Sequence, residues 1–161
     1  MKIANFFLLI SIVFANALAA INDNQQAIEV EADSLEIRDS ENISIYRGNV
    51  LLTQGSLTIR CNQLTIYFDD QNALSRMEMI GSPASYEKLD ERGQQFLGQA
   101  NQMEYRQKNS TLILRDNAQF SHAGDIIKSN SITVNTENNS IQAGSVEPDD
   151  RVHVLIQPKQ P

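Results

Sequence analysis

"NVLLTQGSLTIRCNQLTIYF", residues 49–68, alternates apolar with polar residues along most of its length. Val50 and Leu52, Leu57 and Ile59, and Leu64 and Ile66 each stand two apart, mostly with polar residues between them. Arg60 is the sole charge in the stretch and proline is absent. Side chains of a strand point alternately to opposite faces, so this beat describes strands with one apolar and one polar face. Around Gly55 the run has the composition of a turn, giving strand, turn, strand.

Outward from this stretch the same beat continues. Ile28 and Val30 alternate with Glu29 and Glu31, and Leu35 and Ile37 flank Glu36. It returns in Met77-Glu78-Met79, Met103-Glu104-Tyr105, Leu112-Ile113-Leu114, Ala118-Gln119-Phe120, Ile132-Thr133-Val134 and Val152-His153-Val154. No window of helical length keeps apolar residues at i, i+3, i+4 and i+7. Polar clusters at 39–42, 69–72, 107–110 and 136–140 supply turns, and 87–95 reads as a longer exposed hairpin. The chain is all-β, built of antiparallel strands.

A five-residue form also repeats. Asp33-Ser-Leu-Glu-Ile, Asn62-Gln-Leu-Thr-Ile, Asn101-Gln-Met-Glu-Tyr and Asn130-Ser-Ile-Thr-Val each place an Asn or Asp before a polar residue and an apolar-polar-apolar triplet. The stretch from Asn49 superposes on that from Asn117, matching Leu52 with Phe120, Ile59 with Ile127 and Asn62 with Asn130. The Asn or Asp is suited to hold a bend through its own side chain. Stacked copies of one strand-pair unit predict an elongated β structure. Gly48 and Gly81 are expected to end strands at tight bends with φ > 0, and Gly93 to lie in an exposed loop.

The first residues, "MKIANFFLLISIVFANALAA", combine Lys2, an apolar run from Phe6 to Ala15 and the small-residue pattern Ala17-Leu18-Ala19. That is the arrangement of a secretory signal peptide with cleavage after Ala19. The expected organisation is signal 1–19, flexible leader 20–27, β domain 28–157 and tail 158–161. The acids outnumber the bases, 20 to 13, for a net charge of −7. A nucleic-acid partner is disfavoured, since binding phosphates needs a basic stripe. Cys61 is the single cysteine, so no internal disulfide is available, and it reads as a small buried apolar side chain.

Residues that carry chemistry are scarce. His122 and His153 are the only histidines, and neither belongs to a metal-ligand spacing; each is expected to face solvent on a strand. Asp69-Asp70 and Asp149-Asp150 read as turn residues rather than calcium ligands. No nucleophile elbow or phosphate-binding loop is present. Neither catalysis, a metal nor a cofactor is expected.

Three strings in order carry a family resemblance: Ile28-Glu-Val30-Glu-Ala-Asp33 with Tyr46-Arg-Gly48-Asn49-Val50 to Gly55, then Gly81-Ser-Pro83-Ala84-Ser-Tyr86, then Gly98-Gln-Ala100-Asn-Gln-Met103-Glu-Tyr105. They resemble the periplasmic lipopolysaccharide-transport bridge proteins with the OstA-like domain, over essentially residues 28–156. The resemblance implies a twisted, open β-jellyroll of about sixteen antiparallel strands whose apolar interior carries lipopolysaccharide acyl chains between the two membranes. It also implies a periplasmic location, end-to-end self-association and pairing with similar domains at either membrane. Lipid-contacting positions of the family fall on Ile28, Val30, Tyr86 and Tyr105. The chain has Cys61-Asn62 where the family usually has Ala-Asp, and Phe68 where some members have a basic residue.

Alternation adds Leu52, Ile59, Ile66, Met103, Leu114 and Phe120 to the lipid-facing set. An alkyl chain can be held by apolar contact alone, at about 0.8 kcal/mol per buried CH₂. Ile28 and Val30 on the first strand and Val152, Val154 and Ile156 on the last are the expected oligomer edge, because neither strand is guarded by proline before Pro158. The competing reading is a structural adaptor that pairs its edges with envelope proteins and holds no lipid. A carbohydrate-binding or hydrolytic jellyroll is poorly supported by a chain without tryptophan.

Overall fold

The structure is a computed structural model that describes residues 26–90, 92–144 and 151–158. Its strands are β1 (Glu29–Glu31), β2 (Ser34–Arg38), β3 (Ile43–Gln54), β4 (Leu57–Phe68), β5 (Leu74–Leu89), β6 (Gln95–Arg106), β7 (Thr111–His122), β8 (Asp125–Asn135), β9 (Ile141–Ala143) and β10 (His153–Leu155). All belong to one antiparallel sheet in the order β1-β3-β4-β5-β6-β7-β8-β10. At one end β1 and β2 share β3 as partner, β1 along Leu51–Thr53 and β2 along Ile43–Arg47. At the other, β10 and β9 share β8, along Ile126–Lys128 and Ile132–Val134.

Five register breaks line up across the sheet. They fall between Arg47 and Val50 in β3, Arg60 and Gln63 in β4, Ile80 and Ala84 in β5, Gln99 and Gln102 in β6, and Arg115 and Ala118 in β7. A bulge bends a strand and raises its twist, so a row of bulges creases the sheet. Gly48 and Asn49 (φ +79° and +45°) and Asp116 and Asn117 (φ +62° and +57°) take the left-handed conformation there. Gly and, at some cost, Asn and Asp tolerate it. The repeat seen in the sequence is this crease: Asp33, Asn62, Asn101 and Asn130 all stand on it. Asp33 ties it together, donating its N–H to the Gly48 carbonyl at 2.9 Å and accepting from Asn49 Nδ2 at 2.9 Å.

The crease corrects two expectations. Ten strands are described instead of about sixteen, because a bulge diverts a strand without ending its ladder, and the halves on either side remain one element. Gly48 and Gly81 lie inside β3 and β5 rather than at strand ends. Gly48 does have positive φ, and an added Cβ would also come within 2.2 Å of Asp33 Oδ2. Gly81 is needed for room instead: a Cβ would stand 2.5 Å from the Ala84 backbone nitrogen. Gly93 sits in open space, in an exposed turn.

The crease divides the sheet into two layers that fold onto each other. Val50, Leu52, Ile59, Tyr86 and Phe120 of the first layer share one buried cluster with Leu64, Met79, Leu112, Leu114 and Ile132 of the second. They meet closely at Gly98, where a Cβ would lie 3.0 Å from Leu114 Cδ2 and 3.6 Å from Leu112 Cδ2. Each large apolar side chain so buried contributes about 1.5–3 kcal/mol. Asp69 folds its hairpin by accepting from the N–H groups of Gln71 and Ala73, both at 2.9 Å, as a turn residue does. The expected signal 1–19, most of the leader and Asp149-Asp150 lie outside the described residues.

Candidate functional site

Directly paired residues of neighbouring strands point to the same side, so the register defines the inner face row by row. In the first layer one such row runs Val30, Leu52, Ile59, Tyr86, Gly98, Phe120, Ile127, Val154. In the second, Leu35, Tyr46, Leu64, Met79, Met103, Leu114, Ile132 and Ala143 form its counterpart. An apolar face therefore runs from the first edge of the sheet to the last.

Coverage along that face is uneven. In the middle, Leu52, Ile59 and Leu114 are fully buried, and Ile66, Tyr86, Met103 and Phe120 nearly so. Val30 and Tyr105 are partly buried and pack against this cluster. At the edges the same face lies bare: Leu35 is 53% exposed and Ile37 61%, against 53% for Val154 and 71% for Ile156. Ile28, Ile141 and Val152 are exposed as well. The structure thus gathers nine of the ten residues expected to face lipid into one interior, with Ile28 exposed just ahead of β1. Leu35, Ile37 and Ile141 were missed at the edges, although Leu35 and Ile37 carried the alternation that could have found them. Phe96 was missed because Gly98 occupies the next inward position and silences the beat.

One histidine is placed otherwise than expected. His122 is not solvent-facing: its ring stacks on Phe96 at 4.0 Å and its Nε2 lies 3.0 Å from Asp90 Oδ2. It pairs in register with Phe96, an inward residue, so it turns to the rim of the interior. Backbone N–H groups of Gln94 and Arg92 and the His122 ring hold the Asp90 carboxyl below its ordinary pKa, outweighing desolvation. His153 is exposed. Cys61 is buried, and burial pushes its thiol up to about 12, as an inert apolar side chain requires.

The outer face of the second layer has the opposite chemistry. Glu36 accepts from Arg38 Nε at 2.6 Å and Arg47 at 2.9 Å. Glu78 accepts from the Tyr67 hydroxyl at 2.8 Å and from Arg76, whose guanidinium lies 3.8 Å above the Tyr67 ring. Glu104 is paired with Arg106 and Arg115. The Arg106 hydrogen bond, ahead of other effects, holds the Glu104 carboxyl below its ordinary pKa, and Arg38 does the same for Glu36. The Glu36 pairs are exposed, and ion pairs of that kind add little stability each; Glu104 is itself buried, with its two arginines half-exposed beside it. Among the described residues no group of three or more His, Cys, Asp or Glu is placed to hold a metal ion.

Fold and faces together define a creased β-jellyroll with an apolar interior and, among the described residues, no strand paired beyond either edge of the sheet. The chain belongs to the family of the LptA/(LptD N-terminal domain) LPS transport proteins, whose model matches residues 29–140. It is 29% identical to the lipopolysaccharide export system protein LptH of Pseudomonas aeruginosa, over 89% of this chain and 86% of that protein. It is 26% identical to the lipopolysaccharide export system protein LptA of Escherichia coli K12, over 89% of this chain and 78% of that protein. The crystal structure of LptH, described as the LptA-homologous periplasmic component of the lipopolysaccharide transport device of P. aeruginosa, superposes with a TM-score of 0.77. That match has 27% identity and covers 84% of this chain and 99% of the chain in that crystal structure.

Proposed function

We propose that this protein is a periplasmic carrier that takes lipopolysaccharide by its acyl chains along the inner face and hands it from copy to copy across the envelope. The observation that carries this reading is the unbroken apolar face with bare ends. Leu35 and Ile37 at one end and Val154 and Ile156 at the other extend the interior to where a neighbour would continue it. An acyl chain slides along such a surface by exchanging one CH₂ contact for another, at about 0.8 kcal/mol per group, with no charge to release. The ligand surface in this reading is the set Ile28, Val30, Leu52, Ile59, Ile66, Tyr86, Met103, Tyr105, Leu114 and Phe120; Leu52, Ile59 and Leu114 are fully buried in this structure, so the two layers must separate for an acyl chain to reach them. Partners are further copies of this chain and similar domains at the two membranes.

The sheet supports end-to-end joining. An unpaired edge offers a row of free N–H and C=O groups to an incoming strand. The path from β1 to β10 counts eight alternating strands, so the two edges run in opposite directions. A copy repeated beyond β10 presents its β1 antiparallel, as every other pair in the sheet is arranged. Such a contact is heterologous and propagates. Photo-crosslinking residues at Tyr86 and Tyr105 should capture lipopolysaccharide in cells, while one at Ser85, on the outer face, should capture none. Equal capture at both faces would count against the inner face as the ligand surface. Signal cleavage after Ala19 is checked by N-terminal sequencing of the exported protein.

A further inference from the structure

Val154 turns inward beside Ile127, the alternation assigns Val152 and Ile156 to the same side, and the outer side of this edge carries a pocket. It is an open hollow of about 510 Å³, lined among others by Asn117, Gln119, Lys128, Asn130, Arg151 and His153. Gln119, Lys128 and His153 are register neighbours on the outer face. Among the described residues, three that line it are basic and none is acidic, in a chain of net charge −7. At the opposite end of the sheet, the outer face of β1 is acidic. Glu29 and Glu31 stand beside Thr53 and Leu51 while Val30 between them turns inward. Both glutamates are exposed, and neither has a described ion pair.

We propose that this basic pocket is the receptor for Glu29 and Glu31 of the next copy, so that charge on the outer face keys the end-to-end joint. The inference rests on the end-to-end reading above and deepens it. In an antiparallel ladder between β10 and the incoming β1, inward residues must meet inward residues, so only shifts by two are allowed. The register that sets Val152 against Val30 and Val154 against Ile28 brings Arg151 opposite Glu31 and His153 opposite Glu29. Lys128, beside His153, completes the basic side. Opposite charges directly across a ladder are favourable and like charges unfavourable.

The same pattern rejects the wrong joints. Pairing β1 with another β1 would bring four glutamates together, and pairing β10 with β10 would face arginine and histidine with their own kind. Both of those contacts would close into a dimer; the head-to-tail joint alone propagates. The glutamates therefore blunt the first edge towards itself while addressing it to the last.

The test uses three forms of the full chain in sedimentation velocity over a range of concentrations. Glu29→Lys with Glu31→Lys, and separately Arg151→Glu with His153→Glu, should each weaken self-association about tenfold or more, with a smaller penalty in high salt. Mixing the two variants should restore association to the wild-type level, because each reversed end then meets its complement. Restoration by mixing excludes misfolding as the cause. A third form, lacking residues 152–158, should be a folded monomer. If the truncation abolishes association but both charge reversals leave it unchanged, the charge key is wrong and end-to-end pairing stands. If the truncation changes nothing, end-to-end pairing through this strand fails and the key with it.

Discussion

Leu52 and Ile37 lie on the same inner face, come from the same alternation and differ only in what lies over them. Leu52 is in mid-sheet, under the opposite layer, and fully buried; Ile37 is on an edge strand and 61% exposed. The middle of the molecule behaves as a packed core, whereas its two ends are that core cut open. A soluble protein that leaves such ends bare carries a liability unless they are sites of association. The contrast separates residues that hold the fold from residues that extend its surface to a neighbour.

The largest effect should come from emptying the middle. Phe120→Ala removes a nearly fully buried ring and should cost about 3–5 kcal/mol in urea unfolding. At the edge, Ile37→Ala should cost under about 0.5 kcal/mol, as exposed substitutions do. Comparable losses at the two sites would break the distinction between core and end.

The crease comes next. Gly48→Val meets both a left-handed backbone and the Asp33 carboxylate, and should cost about 2–4 kcal/mol in the same measurement. Gly93→Val has only the backbone strain, since nothing surrounds it, and should cost about 1 kcal/mol. If the two were equal, Gly48 would be governed by its φ alone and the tie to Asp33 would carry nothing.

A smaller effect belongs to the outer face. Glu104 has a folded pKa below its unfolded value, so its ion pairs stabilise the protein above the ordinary carboxylate range. That contribution is lost as pH falls through the folded pKa. Glu104→Gln should lower stability by about 1 kcal/mol at pH 7, and the difference from wild type should shrink below pH ~4. A difference that grew on acidification would mean that protonated Glu104, not its anion, is the stabilising form. Of similar size, Cys61→Ala should change stability by about 1 kcal/mol, and thiol reagents should label native Cys61 far more slowly than the unfolded chain.

How much was legible in the sequence can be seen strand by strand. The alternation of Val50-Leu52, Leu57-Ile59 and Leu64-Ile66 identified both strands of the β3–β4 hairpin and the inward set on each. The repeated Asn or Asp marked the crease, and at Asp33 the side chain does hold it, through Asn49. What period-two patterning conveys is a side, and only that. Gly81 looked like a turn glycine from its neighbours Ser82 and Pro83, yet what it avoids is the Ala84 backbone nitrogen across a bulge.

The order of residues alone settles that the chain is all-β, which side of each strand is apolar, where the bends fall and which family it resembles. Those properties are local, written in the order of neighbouring residues. Tertiary structure alone decided that Leu114 is sealed while Leu35 is bare, that His122 turns in to stack on Phe96, and that Lys128, Arg151 and His153 share one pocket. Each of these depends on which distant strand lies alongside or opposite. Coverage is a relation between layers, and a strand's own alternation carries no record of what folds over it.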